Sequence, residues 1–230
     1  MDIEILHKLN IERENRRAVM VVTDLATGKG RLICEGDTVD GDLGAVVGKG
    51  FRSGKSGTVE IDGAELFLNV HVPAPRLVVI GAVHISQALT QMAALAGYDV
   101  KVIDPRTAFA TSERFAGVDL QADWPEDVLK DAPLDAYTAL AALTHDPKID
   151  DFPLQEALRV GCFYVGALGS RKTHAKRTDR FTQAGITEVQ MEKIHAPIGL
   201  NIAAATPAEI AVAVMAEIIE TFRKRGMAGL

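Results

Sequence analysis

The chain has 230 residues, of which 47% are hydrophobic and 24% charged, and this balance is that of a globular protein rather than a disordered one. Twenty-five basic and thirty-one acidic residues give a formal net charge of −6. We therefore expect no nucleic-acid partner and no membrane surface, because both need a concentrated positive field. The sequence shows no signal-peptide pattern and no apolar run long enough to span a membrane. Cys34 and Cys162 lie far apart without metal-ligand spacing, and together these features predict a cytoplasmic protein.

Residues 1–72 predict a small β-rich N-terminal domain. After a short leading helix, apolar runs lie at residues 18–22 and 31–34, and two further runs flank Asp62-Gly63. An Asp-Gly pair between such runs indicates a hairpin, since both turn positions favour a positive φ. Residues 73–76 contain two prolines and predict a stiff linker to the next domain.

Residues 77–230 predict a Rossmann-like doubly wound parallel sheet, the second domain of an α/β protein. Short apolar segments alternate with amphipathic ones, and the strands are predicted at 77–81, 100–104, 118–121, 137–143 and 162–165. A helix is predicted from Leu154 to Val160. The proline and glycine of residues 195–201 predict a rigid loop, and the last helix begins at the capping box Thr206-Pro207-Ala208-Glu209. In the usual strand order 3-2-1-4-5, the ligand crevice lies beyond the carboxyl ends of strands 1 and 4.

The loop after the first of these strands is similar to a dinucleotide-binding fingerprint. Gly81 stands in the first glycine position, whereas Val83 and Ser86 replace the second and third glycines. Asp104 ends the second strand, where such folds place an acidic residue that binds ribose. Two interpretations remain open: ordinary dinucleotide binding, or a plain turn at Gly81 and a plain strand end at Asp104.

A second group of polar residues follows the fourth predicted strand. His145 and Asp146 would face His84 across the crevice if the strand order is the usual one. Histidines beside a carboxylate can hold a proton, orient an anion or bind a metal. The alternative is structural, with Asp146 capping a turn before Pro147 and His145 bonding backbone. We predict that His84, His145 and Asp146 form one functional patch.

The segment after the fifth predicted strand indicates an anion site. Gly166, Gly169 and Ser170 lead into a helix whose first turns carry Arg171, Lys172, Lys176 and Arg177. Cations at a helix N-terminus oppose the macrodipole, and a bound phosphate would relieve that cost. The alternative is a solvated basic face of a helix.

Several motifs together resemble the XdhC/CoxI family, the accessory proteins of molybdenum hydroxylases such as xanthine dehydrogenase and carbon monoxide dehydrogenase. The resemblance covers residues 76–220 and rests on Leu77–His84, Asp104-Pro105-Arg106, Arg114-Phe115, Leu143–Asp150, Tyr164–Arg171, Pro197–Asn201 and Thr206–Ile210. It implies a maturation chaperone rather than a turnover enzyme. Such a protein binds the molybdenum cofactor, as molybdopterin or its cytosine dinucleotide, and promotes its sulfuration and insertion.

The resemblance also implies the partners and the site. The expected partners are an apo molybdenum hydroxylase, a cysteine desulfurase and a second copy of the chain in a homodimer. No resident metal is predicted. The predicted cofactor-binding residues are Gly81, Asp104, Arg106, Gly166, Gly169, Ser170 and Arg171. An NAD(P)-binding oxidoreductase is the alternative function, and a regulatory nucleotide-sensing module is a third.

Overall fold

The computed structural model describes residues 2–225, which form two compact units with a boundary between Pro73 and Ala74. That residues 73–76 act as a linker between independently folding domains stays a prediction. No helix within the described residues is long and apolar enough to cross a membrane.

The N-terminal unit is an antiparallel sheet with two helices. Its elements are α1 (Ile3–Glu14), β1 (Val19–Asp24), β2 (Gly30–Cys34), α2 (Gly41–Ser53), β3 (Gly57–Ile61) and β4 (Ala64–His71), and the strand order is β2-β1-β4-β3. The turn between β3 and β4 has a positive φ at Asp62 and Gly63, as a two-residue hairpin requires. The prediction of a small β-rich fold behind a leading helix is therefore confirmed.

The sequence pattern did not predict α2. The helix contains four glycines, which lower helix propensity by about 1 kcal/mol each and obscure the periodicity. Two of them are explained by packing. A Cβ on Gly44 would lie 2.0 Å from the Val39 carbonyl oxygen, and one on Gly50 would lie 2.6 Å from Met20 Cε. Tertiary contact thus accounts for glycine where local propensity disfavours it.

The C-terminal unit is a six-stranded sheet in which every neighbouring pair of strands is parallel. Its elements are β5 (Arg76–Ile80), α3 (His84–Leu95), β6 (Asp99–Ile103), β7 (Asp119–Gln121), α4 (Pro125–Asp131), β8 (Thr138–Ala142), α5 (Pro147–Val160), β9 (Tyr164–Ala167), α6 (Arg171–Gln183), α7 (Glu188–Met191), β10 (Ile194–His195) and α8 (Pro207–Lys224). The order β10-β9-β8-β5-β6-β7 confirms the predicted doubly wound topology, with the reversal of winding between β5 and β8.

The core of this unit lies on both faces of the sheet. Leu77 and Val79 of β5 contribute to one buried cluster, and the alternating residues Val78 and Ile80 contribute to the other. Helices α3 and α8 supply the first cluster, while α5 and α6 supply the second. Strands buried on both faces explain why the sequence shows continuous apolar runs rather than alternation.

Two elements start elsewhere than predicted. Helix α5 begins at Pro147, two turns before the expected start at Leu154, because Pro147 occupies its first position and Pro153 lies inside it. An internal proline is normally disfavoured, and it concealed the first part of the helix. Strand β9 begins at Tyr164, so Gly166 lies within the strand and not in the loop that follows it.

Candidate functional site

The loop after β5 turns sharply against the end of β8. Gly81 has a φ of 111°, and a Cβ there would lie 2.8 Å from Thr144 Cγ2. Its amide donates to the Ile103 carbonyl at 2.8 Å. Only glycine satisfies both the backbone conformation and the contact, so this residue joins the ends of three neighbouring strands.

Asp104 braces this loop. Its side chain is fully buried, and it accepts hydrogen bonds from the Ala82 amide at 2.7 Å and from the Arg106 amide at 2.9 Å. The Arg106 guanidinium adds a two-point contact, with Nε at 2.9 Å and Nη2 at 2.7 Å. Burial by itself raises the pKa of Asp104, but these hydrogen bonds outweigh it and hold the pKa below its ordinary value.

Arg114 and Ser86 hold the same loop from the other side. Arg114 Nη1 donates to the Ala82 carbonyl at 3.0 Å and to the Phe109 carbonyl at 2.8 Å, and the Ser86 hydroxyl donates to the Gly81 carbonyl. Sequence reasoning assigned neither residue to the site, although Arg114 belongs to a motif of the resemblance. Val83 is half-buried and packs against the apolar cluster of α3 and α8.

The three predicted catalytic residues occupy two neighbouring loops. His84 is the first residue of α3 and is exposed, and His145 is exposed with a φ of 63°. Asp146 is the N-cap of α5, and its Oδ1 accepts from the Lys148 amide at 3.0 Å. Within residues 2–225 no hydrogen bond or ion pair joins the three side chains. The structural role foreseen as an alternative for Asp146 is thus present, and a shared functional role stays a prediction.

Arg106 connects these loops electrostatically. Its hydrogen bonds to Asp104 raise the pKa of Arg106, and the charges of Asp150 and Asp146 add to this effect. The ends of β6 and β8 therefore converge on one region at the carboxyl edge of the sheet, as a doubly wound fold requires.

The predicted anion loop after β9 is organised as a helix start. Ser170 is the N-cap of α6, and its hydroxyl accepts from the Thr173 amide at 3.3 Å. A Cβ on Gly169 would lie 3.1 Å from Thr173, and Arg171 is an exposed first residue of the helix. Gly166 is buried within β9, where a Cβ would lie 2.6 Å from Ile198 Cδ1. Packing therefore accounts for Gly166 being glycine.

A cavity of about 250 Å³ lies between the starts of α5 and α6. We call it the basic cavity, and its lining includes His145, Asp150, Lys172, Lys176, Arg177 and Arg180. Asp150 and Arg177 are only 1% and 3% exposed. Sequence reasoning named the cations but did not assign Asp150 to the site, because the predicted α5 began beyond it. Its position four residues after the Asp146 cap, in the first turns of a helix, is the signal that could have found it.

The two buried charges of the basic cavity are incompletely bonded. Asp150 Oδ1 accepts from the Thr144 hydroxyl at 2.7 Å, but Oδ2 accepts no hydrogen bond from the described residues. Arg177 Nη2 donates to the Leu168 carbonyl at 3.2 Å, while its Nε and Nη1 have no acceptor among the described residues. Burial raises the pKa of Asp150 to about 6, although Thr144 and Arg177 lower it in part.

A third polar group lies at the end of β10. Glu217 of α8 accepts from the Tyr164 hydroxyl at 2.6 Å and from the Gly199 amide at 2.8 Å, and His195 Nδ1 lies 3.1 Å from its other oxygen. His195 also stacks on Tyr164 with ring centroids 4.6 Å apart. The network fixes the loop that follows β10, which the sequence predicted to be rigid.

Neither cysteine is activated. Burial raises the pKa of the Cys34 thiol, helped by Glu12 and Asp37, and burial raises that of Cys162 to about 12. No cluster of three or more metal-ligating side chains occurs among residues 2–225.

The chain is similar to known proteins over its C-terminal unit. A family model described as the XdhC Rossmann domain matches residues 77–218. A protein of Bacillus subtilis described as a probable xanthine dehydrogenase component is 35% identical over 161 residues, which cover 70% of this chain and 46% of that protein. A molybdenum cofactor insertion chaperone, PaoD, from Escherichia coli is 30% identical over 146 residues, or 64% of this chain and 40% of that protein.

The chain thus spans less than half the length of each of these two curated relatives. Among solved structures, a xanthine dehydrogenase from Bacillus halodurans aligns with all of this chain and 68% of that one, with a TM-score of 0.63 and 23% identity. That likeness is one of fold.

Proposed function

The chain belongs to the XdhC family, and from that premise we propose that it binds the molybdenum cofactor and promotes its sulfuration and insertion into a molybdenum hydroxylase. The observation that carries the proposal is the basic cavity at the carboxyl edge of the sheet, where the buried Arg177 keeps two donor nitrogens without an acceptor among the described residues. A cargo with a terminal phosphate supplies the missing acceptors.

The residues of this edge fit such a cargo. Arg177, Lys172 and Lys176 line one cavity and would bind the phosphate. The loop that begins at Gly81 is braced by Asp104 and Arg114, so it presents a rigid backbone beside the crevice. Predicted contacts from Gly169, Ser170 and Arg171 would extend the phosphate site along the start of α6.

His84 and His145 would contact the cargo beyond its phosphate. Both imidazoles are exposed near the reversal of winding, and an imidazole can form hydrogen bonds with a ligand through either ring nitrogen. Asp146 would act as a positioning residue, because its carboxylate caps α5 directly after His145. The patch would orient the cofactor for handover to an apo hydroxylase.

Sulfur chemistry would belong to the partner. Both thiols of the chain have raised pKa values, so neither forms a thiolate readily at neutral pH. A cysteine desulfurase would supply the sulfur, and the cofactor-binding chain would hold the acceptor. The proposal also includes a homodimer and a cytoplasmic location.

An NAD(P)-dependent oxidoreductase is the alternative function. It would use Asp104 to bind ribose, but that carboxylate already accepts from the Ala82 amide and from three Arg106 donors. The structure therefore offers this alternative less support than the sequence pattern did.

The test is anaerobic co-purification of the chain with its cofactor, followed by pterin fluorescence, molybdenum analysis and nucleotide analysis. We expect a pterin and molybdenum, and activation of an apo hydroxylase in a reconstitution assay. The double variant H84A/H145A should keep its melting temperature within a few degrees, as expected for exposed polar residues, and lose activation. Retained nicotinamide without pterin would refute the proposal in favour of an oxidoreductase.

A further inference from the structure

The basic cavity contains an acceptor as well as cations. Asp150 lines the cavity, and its Oδ2 is buried and accepts no hydrogen bond from the described residues. A carboxylate oxygen that faces a bound anion is repulsive unless a hydrogen lies between the two oxygens. The ligand of this cavity is therefore constrained by one hydrogen as well as by its charge.

The charges around the cavity favour a dianion. Arg180 is neutralised by Asp151 through a two-point ion pair, in which Nη2 lies 2.9 Å from Oδ1. Arg177, Lys172 and Lys176 have no ion-pair partner within residues 2–225. These three positive charges face the single carboxyl group of Asp150.

We propose that the basic cavity binds a phosphate group that shares one hydrogen with Asp150 Oδ2, while Arg177, Lys172 and Lys176 balance its charge. Inorganic phosphate carries that hydrogen at neutral pH, and a phosphate monoester, whose second pKa is about 6, carries it in slightly acidic solution. Sulfate and a diphosphate diester carry it in neither range. The inference rests on the proposed function only where it identifies the phosphate with that of a carried cofactor.

The hydrogen predicts discrimination between two anions of the same shape. Hydrogen phosphate brings the hydrogen with it across the neutral range. Sulfate brings no hydrogen, so Asp150 itself must be protonated when sulfate binds. A pH of 7.5 lies about 1.5 units above the Asp150 pKa of about 6, so this protonation is unfavourable there. Sulfate should therefore bind roughly 30-fold more weakly than phosphate at pH 7.5, since each pH unit is a tenfold cost. At pH 5.5 Asp150 is mostly protonated, so this penalty on sulfate should disappear and the ratio of the two affinities should fall.

Other groups that titrate or carry charge face Asp150. They are Lys172, Lys176, Arg177 and Arg180 from α6, His145, Asp146 and Asp151 from the start of α5, and Arg106 from the loop after β6. His174 lies beside Arg177, and burial lowers its pKa. At pH 7.5, where inorganic phosphate is mainly a dianion like sulfate, these groups affect the two anions similarly, so the ratio of the two affinities at that pH isolates the shared hydrogen.

The experiment is calorimetric titration of the full chain with inorganic phosphate and with sulfate between pH 5.5 and 8. The wild-type ratio needs no variant and tests the proposal by itself. In D150N the amide can donate to either anion, so the ratio at pH 7.5 should fall to near one. K176A should weaken both anions about equally, and K193A, which removes an exposed lysine outside the cavity, should change neither.

Glycerol 3-phosphate distinguishes the source of the phosphate. At pH 5.5, where it carries a hydrogen, tighter binding than inorganic phosphate identifies a monoester as the occupant, and weaker binding identifies free phosphate. Equal affinity for phosphate and sulfate at pH 7.5, or a ratio that survives in D150N, overturns the proposal. If the protein prefers phosphate over sulfate but never acquires pterin, the result supports this site and contradicts the proposed function. If it acquires pterin but binds phosphate and sulfate equally, the result supports the proposed function and contradicts this site.

Discussion

Replacing Asp104 with asparagine should destabilise the C-terminal unit rather than weaken ligand binding alone. The carboxylate is fully buried and accepts four hydrogen bonds, one from the Ala82 amide and three from Arg106. In D104N one oxygen becomes an amino group that faces donors, so at least two of these bonds are lost and the ion pair between the buried carboxylate and the half-buried Arg106 is broken.

The cost follows from the type of contact removed. Breaking a buried charge pair costs about 3–5 kcal/mol. For a chain of this size each kcal/mol shifts the melting temperature by about 2–4 °C, so we expect a fall of roughly 6–20 °C. Because the pKa of Asp104 is lowered in the folded state, its contribution is present above its unfolded pKa of about 3.9 and is lost as the pH falls through the folded value. The gap between wild type and D104N should therefore narrow below pH 4.

Calorimetric melting at pH 7 and pH 3.5 is the assay, and D99N is the matched control. Asp99 is exposed at the start of the same strand, β6, so the same chemical change there should stay within about 0.5 kcal/mol. A D104N protein that melts within 2 °C of wild type but loses cofactor binding would refute the bracing role and restore the interpretation of Asp104 as a ligand-binding residue.

Three further predictions concern single side chains. G166A should lose about 1–3 kcal/mol in urea unfolding, because its Cβ would lie 2.6 Å from Ile198 Cδ1, whereas G57A, with open space around the new methyl group, should not. C34S should activate the apo hydroxylase as wild type does, since a thiol with a raised pKa is a poor sulfur carrier, and a loss of activation would place it on the sulfur route. The pKa of Asp150 is raised to about 6 in the folded state. The protonated carboxyl group therefore contributes to the stability of wild type at low pH, and this contribution is lost as the pH rises through 6. D150N should gain about 1.4 kcal/mol relative to wild type between pH 5 and 8, and a constant difference would contradict that shift.

The sheet of the C-terminal unit was predictable because its signals are local. Strands β5 and β8 are short, largely apolar runs, and Thr206 and Glu209 form the capping box that begins α8. Strand β7 has a single apolar residue, Leu120, and the two-residue strand β10 was not predicted. The Asp62-Gly63 turn was predictable for the same reason, since its φ values require those residue types.

The rest depends on contacts between distant residues. Helix α2 contains glycines that Val39 and Met20 require, and no window of sequence shows either contact. Asp104 matched the position of a ribose ligand, yet Ala82 and Arg106 bind it from both sides. Sequence reasoning could name Arg177 as a cation, but only the packing of α5 against α6 shows that it is buried beside Asp150.

Three kinds of departure from local rules meet around the basic cavity. Elsewhere at this edge, Gly81, Asp104 and Ser170 satisfy the backbone and the hydrogen bonds that their positions demand. Around the cavity, His145 has a positive φ, which costs of order 1–3 kcal/mol. The first turn of α6 carries Arg171 and Lys172 against the macrodipole, at about 0.3–1 kcal/mol each. The buried Asp150 and Arg177 keep polar atoms without a hydrogen-bond partner among the described residues. A bound phosphate would compensate the cations and both buried groups at once, and this convergence, rather than any single residue, is the reason to place the ligand there.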